Sequence, residues 1–253
     1  MKITFLFVTL FLTTLSFTQL NKLDAKGKKQ GSWEKKYPNS GVVEYKGEFK
    51  NDLPVGKFIY NYPSNKLKAT ISNDAKSINS FALMYHESGS LMAKGKYFKQ
   101  QKDSIWTYFN PNGILRMREC YKNGKLDGER IIYYSSEYFS DKKDRIASIE
   151  KFQNDLKEGE SVEYFDDTTR VLKSTGNFHL GKKEGTFYSY FPNGKISSKE
   201  NYKNDLRESW QYAYNEQGEE IGKRYFKKGI ELKGKELQNC LKELDNNKNP
   251  TEK

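Results

Sequence analysis

Cysteine, histidine and proline are scarce in this chain, and each shortage excludes something. Of 253 residues only two are cysteine, Cys120 and Cys240, with no CxxC spacing. A disulfide-stapled scaffold and a zinc ribbon are therefore excluded, and two free, half-buried thiols are expected. The two histidines, His86 and His179, are 93 positions apart. No HExxH or Cys-His pairing is present, so neither metal nor cofactor is expected. No G-x-S-x-G, P-loop or dinucleotide fingerprint occurs. GKKQG, GKLDG and GKKEG precede strand patterns rather than helices, which removes a phosphate-binding helix N-terminus. Asp166-Asp167 sits beside Thr168-Thr169 at a turn, where Asp is ordinary turn chemistry. Catalysis is not expected. Apolar runs are also absent, except at the start: residues 1–18 read MKITFLFVTLFLTTLSFT. One Lys, an apolar stretch, and small residues Ser16 and Thr18 make the layout of a secretory signal peptide cleaved after Thr18. At Ile3–Leu20 the stretch only reaches the lower limit of a membrane span.

Aromatic residues, by contrast, make up 15% of the chain. That abundance argues against disorder even though 30% of residues are charged. The aromatics are periodic. Gly31, Gly56, Ser80, Ser104, Gly128, Gly159, Gly185 and Ser209 mark eight units with successive spacings of 25, 24, 24, 24, 31, 26 and 24. Seven positions before each mark after the first stands Phe49, Asn73, Tyr97, Tyr121, Phe152, Phe178 or Tyr202. A fixed period of this size is the signature of a repeat array, in which stacking builds the core.

Each unit reads strand, turn, strand, turn. Bulky residues alternate in the first strand, as in Trp106 and Tyr108, or Phe58, Tyr60 and Tyr62. Pro38, Pro63, Pro111 and Pro192 each lie seven positions after their mark, where proline presets a turn. Asn112-Gly113 and Asn193-Gly194 supply positive backbone angles. All length variation falls before the second-strand position; the link from there to the next mark is always seven. The link is read as the packed, register-setting side and the hairpin tips as the variable side. The expected fold is all-β: an elongated single-layer antiparallel sheet of about eight stacked β-hairpins and about sixteen strands. The segments are a leader (1–18), a lead-in (19–30), the array (31–231), a capping helix (232–245) on the stripe Leu237, Cys240, Leu241 and Leu244, and a frayed tail (246–253). Cys120 and Cys240, separated by four hairpins, are not expected to pair.

Tyr45-Lys-Gly47-Glu48-Phe49-Lys50-Asn51 leading to Gly56-Lys-Phe58 resembles the MORN repeat. So do Glu119-Cys-Tyr121-Lys122-Asn123-Gly124 with Gly128, and Glu200-Asn-Tyr202-Lys203-Asn204. The YP-NG turn looks like the bacterial variant of that repeat, whose proteins are often labelled as the antitoxin of a toxin–antitoxin pair. The resemblance covers residues 31 to about 230. It implies an extended β-hairpin sheet with roles in scaffolding, membrane attachment or protein binding.

The formal charge of +11 comes from 44 Lys and Arg against 33 Asp and Glu. The bases are scattered among acids through every repeat, so a solubilising surface that also blunts strand edges accounts for them. With export, no nucleic-acid partner is expected. Two sets of residues are candidates for binding. Trp33, Phe58, Trp106, Phe187 and Trp210 recur at one end of the first strand, where they line a groove for sugars or a peptide, or else form the thin core. Tyr138, Phe139, Lys142 and Lys143 lie in the long tip of the fifth unit. The leading expectation is a non-enzymatic scaffold of the bacterial envelope, periplasmic or extracellular, recognising a protein or glycan. The alternatives are a module for anionic membrane surfaces and an antitoxin-like inhibitor. The leader makes the first prediction: the mature chain begins near Gln19. N-terminal sequencing that finds Met1 retained on cytoplasmic protein would refute it.

Overall fold

A computed structural model describes residues 19–134, 145–167 and 169–248. The leader lies outside them. The described chain forms one open antiparallel sheet of nineteen strands, from β1 (Lys22–Leu23) to β19 (Ile230–Leu232), and a C-terminal helix α1 (Gly234–Lys248). Each strand pairs with its neighbours in the chain, so the sheet grows by one hairpin per repeat. β16 (Leu206–Arg207) and β17 (Ser209–Tyr214) both pair with β15 (Ile196–Lys203) and are one strand broken at Glu208. Counted as one, they complete the sixteen strands of eight hairpins; β1 and β19 are short additions at the two ends. The helix begins two residues after the expected boundary and takes in positions 246–248 of the expected tail.

The constant link has a structural cause. Asn51-Asp52 (φ 53° and 68°), Asn123-Gly124 (50° and 82°), Asn154-Asp155 (49° and 71°) and Asn204-Asp205 (50° and 69°) are two-residue turns with both φ positive. This is the geometry that matches strand twist, and Asn, Asp and Gly tolerate it. The marks that follow are bulge positions, also left-handed: Gly31 at 67°, Gly56 at 65°, Gly185 at 80°, and even Ser104 at 58° and Ser209 at 67°. Turn and bulge together fill the seven residues, so an insertion would shift the pairing and turn side chains over. The third unit is the exception that explains itself. Asn73 pairs directly with Ser80, without a bulge. The link there opens into a loop held by Asp74, whose Oδ1 accepts the N–H of Lys76 and of Ile78 at 3.0 and 2.9 Å. The non-aromatic Asn73 keeps its own bond, donating from Nδ2 to the Gly56 carbonyl at 3.1 Å.

The tips carry a second repeated contact. The Tyr37 hydroxyl donates to the Asn61 carbonyl at 2.7 Å, Tyr62 to Tyr85 at 2.8 Å and Tyr134 to Tyr164 at 2.6 Å. His86 occupies the same place in its unit, with Nε2 3.0 Å from the Phe109 carbonyl. That bond to the next unit accounts for a histidine with no chemical partner in the sequence. The extra residues of the fifth unit enter between Tyr134, whose N–H reaches the Arg145 carbonyl at 2.9 Å, and Arg145. Residues 135–144, and with them Tyr138, Phe139, Lys142 and Lys143, lie outside the described residues.

The core lies on one face. Strand alternation sends Trp33, Phe58, Trp106 and Phe187 to the same side as Tyr45, Tyr60 and Tyr108. Phe58 keeps 2% of its exposure and Trp106 none. A single sheet buries them because each ring lies flat on a glycine of the preceding strand. A Cβ on Gly47, Gly95 or Gly176 would stand 2.5, 2.3 or 2.1 Å from the ring of Phe58, Trp106 or Phe187. A prediction follows. Gly95→Ala lowers the unfolding free energy by about 1–3 kcal/mol through overpacking. Gly222→Ala, on the same face with nothing within 4 Å, changes it by less than about 0.5 kcal/mol. Equal urea midpoints for the two variants would show that ring and glycine are not packed this way.

Candidate binding surface

The aromatic face is occupied by its own contacts. Phe49 and Phe58 meet edge to face at 5.1 Å between centroids, Tyr97 and Trp106 at 5.0 Å, and Phe187 and Tyr202 at 5.2 Å. Cations cover what the rings leave. Lys29 Nζ lies 4.7 Å from Phe49, Lys102 4.8 Å from Tyr121, Lys157 4.8 Å from Phe178, Lys183 4.6 Å from Tyr202, and the Arg207 guanidinium 5.3 Å from Phe226. Each of these bases stands two positions before its mark. This fixed offset is visible in the sequence, although the bases read there as scattered.

The middle of the array replaces rings with charge. Arg130 occupies the position of Trp106, and Glu119 the position of the glycine. Arg130 donates to Glu119 Oε1 from Nε at 3.0 Å, and its other side is 3.7 Å from Glu150, which also pairs with Lys157. Tyr121 donates to Glu119 Oε2 at 2.7 Å, and Lys102 to the Tyr108 hydroxyl at 2.8 Å. Glu119 is only 5% exposed, a burial that this ring of donors makes tolerable. Burial lowers the Lys102 pKa and raises those of Tyr108 and Tyr121.

The expected groove is therefore corrected in two respects. Phe58 and Trp106 have no ring surface left for a ligand, and Trp33 and Phe187, half-buried, pack edge to face on Phe49 and Phe178. Trp210 is on the opposite face. It stands one position after its mark, where the others stand two, and alternation turns it over. There it packs on Tyr225 at 5.3 Å beneath α1, whose buried Cys240 thiol is 3.9 Å from the Tyr225 hydroxyl. Gln211 takes the ring position and donates to the carbonyls of Asn201 and Glu208 at 3.1 Å each. Cys120 lies on β9 (Leu115–Lys122), far from α1, and both thiols are free.

The opposite face carries a row absent from the sequence reading. Cross-strand pairing places Lys46, Ile59, Thr70, Leu83, Lys94, Thr107 and Arg118 side by side. It continues through Ile131, Ile149, Val162, Thr175, Tyr188, Lys199, Tyr212 and Lys223. No acid stands between Lys46 and Lys223, although Glu34 on the strand before is the cross-strand partner of Lys46. Among the described residues none of its five cations is in a salt bridge. Beside it Phe81 is 42% and Ile105 57% exposed. Lys94, Arg118, Lys199 and Lys223 lie 5.1–5.9 Å from the rings of Phe109, Tyr133, Tyr212 and Trp210. Cations held over rings but not neutralised by a carboxylate, among apolar and hydroxyl side chains, form a surface suited to an anionic partner.

Chemistry has no comparable centre. Asp166 pairs with Arg145 at 3.0 Å and Asp167 accepts the Thr169 N–H at 2.8 Å, so the two carboxylates serve the turn and its neighbour. His179 Nδ1 is 2.9 Å from Glu158 at an exposed link. Among the described residues no group of His, Cys, Asp and Glu has the geometry of a metal site.

Fold and surface define a β-hairpin repeat protein built around a continuous face. A family model described as MORN repeat variant matches residues 102–123 and 183–204, and the chain is similar to that family in those two segments. No curated protein matches the chain. The two segments share a base (Lys102, Lys183), a ring on glycine (Trp106, Phe187), a Pro-Asn-Gly tip (Pro111, Pro192) and the second-strand tyrosine (Tyr121, Tyr202). The other units keep the geometry with altered residues. MORN repeats suggest a repeat-based binding scaffold, and nothing shows catalysis.

Burial raises the pKa of Tyr60, Tyr97, Tyr108, Tyr121, Tyr202 and Tyr225. An unfolded tyrosine loses its proton near pH ~10; these retain theirs. Above that pH the unfolded state binds fewer protons, so stability falls as pH rises, while below it the tyrosines contribute no pH dependence. The expected outcome is cooperative loss of the strand signal in circular dichroism together with the rise of tyrosinate absorbance. Full tyrosinate absorbance near pH ~10 with strands intact would contradict it.

Proposed function

We propose that the protein is a non-enzymatic, exported scaffold that binds an acidic partner of the bacterial cell envelope, a protein or glycan, along its outer face. The observation that carries this reading is the acid-free row from Lys46 to Lys223. The aromatic face supports the assignment by elimination, since its rings and cations are committed to one another. An extended row suits an elongated or multivalent partner, because every strand repeats a contact about 4.8 Å further on. The leader supports export, and an antitoxin-like inhibitor is one case of such a binder.

A second reading, attachment to an anionic membrane surface, draws on Phe81 and Ile105, which stand exposed beside Lys94 and Lys96. Apolar side chains next to lysines suit a lipid interface.

One experiment separates the two. The double variant Lys94→Glu, Arg118→Glu loses a partner captured from an envelope fraction, with Lys66→Glu at a hairpin tip as the charge-matched control. Partner capture that survives the double variant would refute the outer-face reading. Salt-sensitive co-sedimentation with phosphatidylglycerol vesicles, lost in the same variant, would decide for the membrane.

A further inference from the structure

The two ends of the sheet are finished differently. At the N-terminal end, β1 pairs with Lys29 and Gln30 of β2 (Lys29–Lys36). Beyond it the Asn21 N–H reaches the Ser32 carbonyl at 2.9 Å. The Asn21 side chain donates to the Glu34 carbonyl at 3.0 Å and accepts the Glu34 N–H at 2.8 Å. That edge is closed well past its short strand. At the C-terminal end, β18 (Glu220–Lys227) pairs with β17 from Glu220 to Phe226, but β19 reaches only Tyr225, Phe226 and Lys227. Among the described residues no strand lies beside the outer edge of Glu220–Arg224.

Next to this open edge the aromatic face has a gap. The ring position of the eighth unit holds Gln211, which faces Arg224 across the strands; two positions along on the same face, Ala213 lies between Ser198 and Gly222. These small side chains leave a groove of about 370 Å³ whose charged lining includes Arg207, Arg224 and Glu200. Arg207 is 3.5 Å from Glu200. Arg224 has no acidic partner among the described residues. Ile221, at the same edge, is 66% exposed.

We propose that the open half of β18 binds an extended peptide segment of a partner protein, which adds a strand to the sheet and places an acidic side chain against Arg224. Three features converge on this occupant. The unpaired backbone of Glu220–Arg224 offers main-chain hydrogen bonds to an extended chain. The groove accepts a side chain that alternates to the aromatic face. The guanidinium of Arg224 selects a carboxylate, which its planar fork matches. The groove opens on the aromatic face and shares β17 and β18 with the end of the outer row, Tyr212 and Lys223. The test turns on Arg224 and Gly222, which are not in the row, so it does not depend on that reading.

The probe is a synthetic blocked peptide of alternating Val and Glu, followed by fluorescence anisotropy with the full-length protein. Binding is expected, and about tenfold weaker binding in Arg224→Glu, where the guanidinium is replaced by a like charge. Gly222→Trp, which fills the groove from a position with nothing within 4 Å, is expected to abolish it. N-methylation of alternate amides in the peptide is also expected to abolish binding, which distinguishes strand addition from charge attraction alone. If Gly222→Trp melts early, Arg224→Glu and the N-methylated peptide decide the matter, since neither touches the core. Failure of the peptide to bind at its solubility limit, or equal binding of the N-methylated form, would overturn the proposal. A concentration-dependent dimer in analytical ultracentrifugation, lost in Arg224→Glu, would also overturn it and assign the edge to a second copy of this chain.

Discussion

The seven-residue link is the constraint on which the rest of the structure depends. A two-residue turn with both angles left-handed returns the chain at once, and the bulge at Gly or Ser four residues later restores alternation. Because side chains in a strand alternate with period two, one residue more would send the ring of the next unit to the wrong face. The tips face no such demand. They join two strands of the same hairpin, and an insertion there leaves the register of the next hairpin unchanged. This explains why lengths vary by up to seven residues within units while the link stays constant. Ser104 and Ser209 accept left-handed angles to keep the bulge, whereas Ser80, where the bulge is absent, does not need to.

Given that register, a sheet one layer thick still needs a core. It makes one by laying rings flat on backbone instead of inserting them into a second layer. Glycine eleven residues before the ring is the requirement, met at Gly47, Gly95 and Gly176. Where Glu119, Glu150 or Glu200 stands instead, the ring position becomes Arg130, Ser161 or Gln211. These pairs are alternative fillings of one space. The first gains apolar burial and an edge-to-face contact. The second buries a carboxylate, which is tolerable because Arg130, Tyr121 and Lys157 supply the donors.

Much of this was legible in the chain. The marks, the link and the proline register yield the strand count, the hairpin order and the side of each hairpin that varies, since turn chemistry is local and carries its own residues. The C-terminal helix was readable from the spacing of Leu237, Cys240, Leu241 and Leu244, although Leu244 itself stays 41% exposed. What escaped was the assignment of faces. Trp210 looks equivalent to Trp33 and Trp106 when placed only near the start of a strand, yet an offset of one residue from the mark puts it under α1. The cation ladder had a fixed offset too, but a base at a constant position acquires meaning only when the ring it covers, across a link, is known. The outer row is harder still. Its members come from fifteen strands and share no motif; only the cross-strand register, bulges included, sets them in line.

The two faces have divided their tasks, and the charges show how. On the aromatic face, bases lie over rings or beside Glu119, Glu150 and Glu200, so their field is largely spent within the molecule. On the outer face, Lys46, Lys94, Arg118, Lys199 and Lys223 lie among Thr, Ile, Val and Tyr with no acid in the row, and four of them stand 5.1–5.9 Å from a ring without a carboxylate to neutralise them. A solubilising surface gains most from mixed signs, which suppress non-specific contact. A row of one sign, continuous through seven of the eight hairpins and half-apolar, departs from that pattern. It costs little in folding, because exposed charges some 10 Å apart repel only weakly at physiological salt. Its positive charge is concentrated towards the two ends, from Lys46 to Arg118 and from Lys199 to Lys223, since Ile131, Ile149, Val162, Thr175 and Tyr188 between them carry none. That asymmetry between faces, more than any single side chain, is why the array reads as a binding device and not only as a self-supporting sheet.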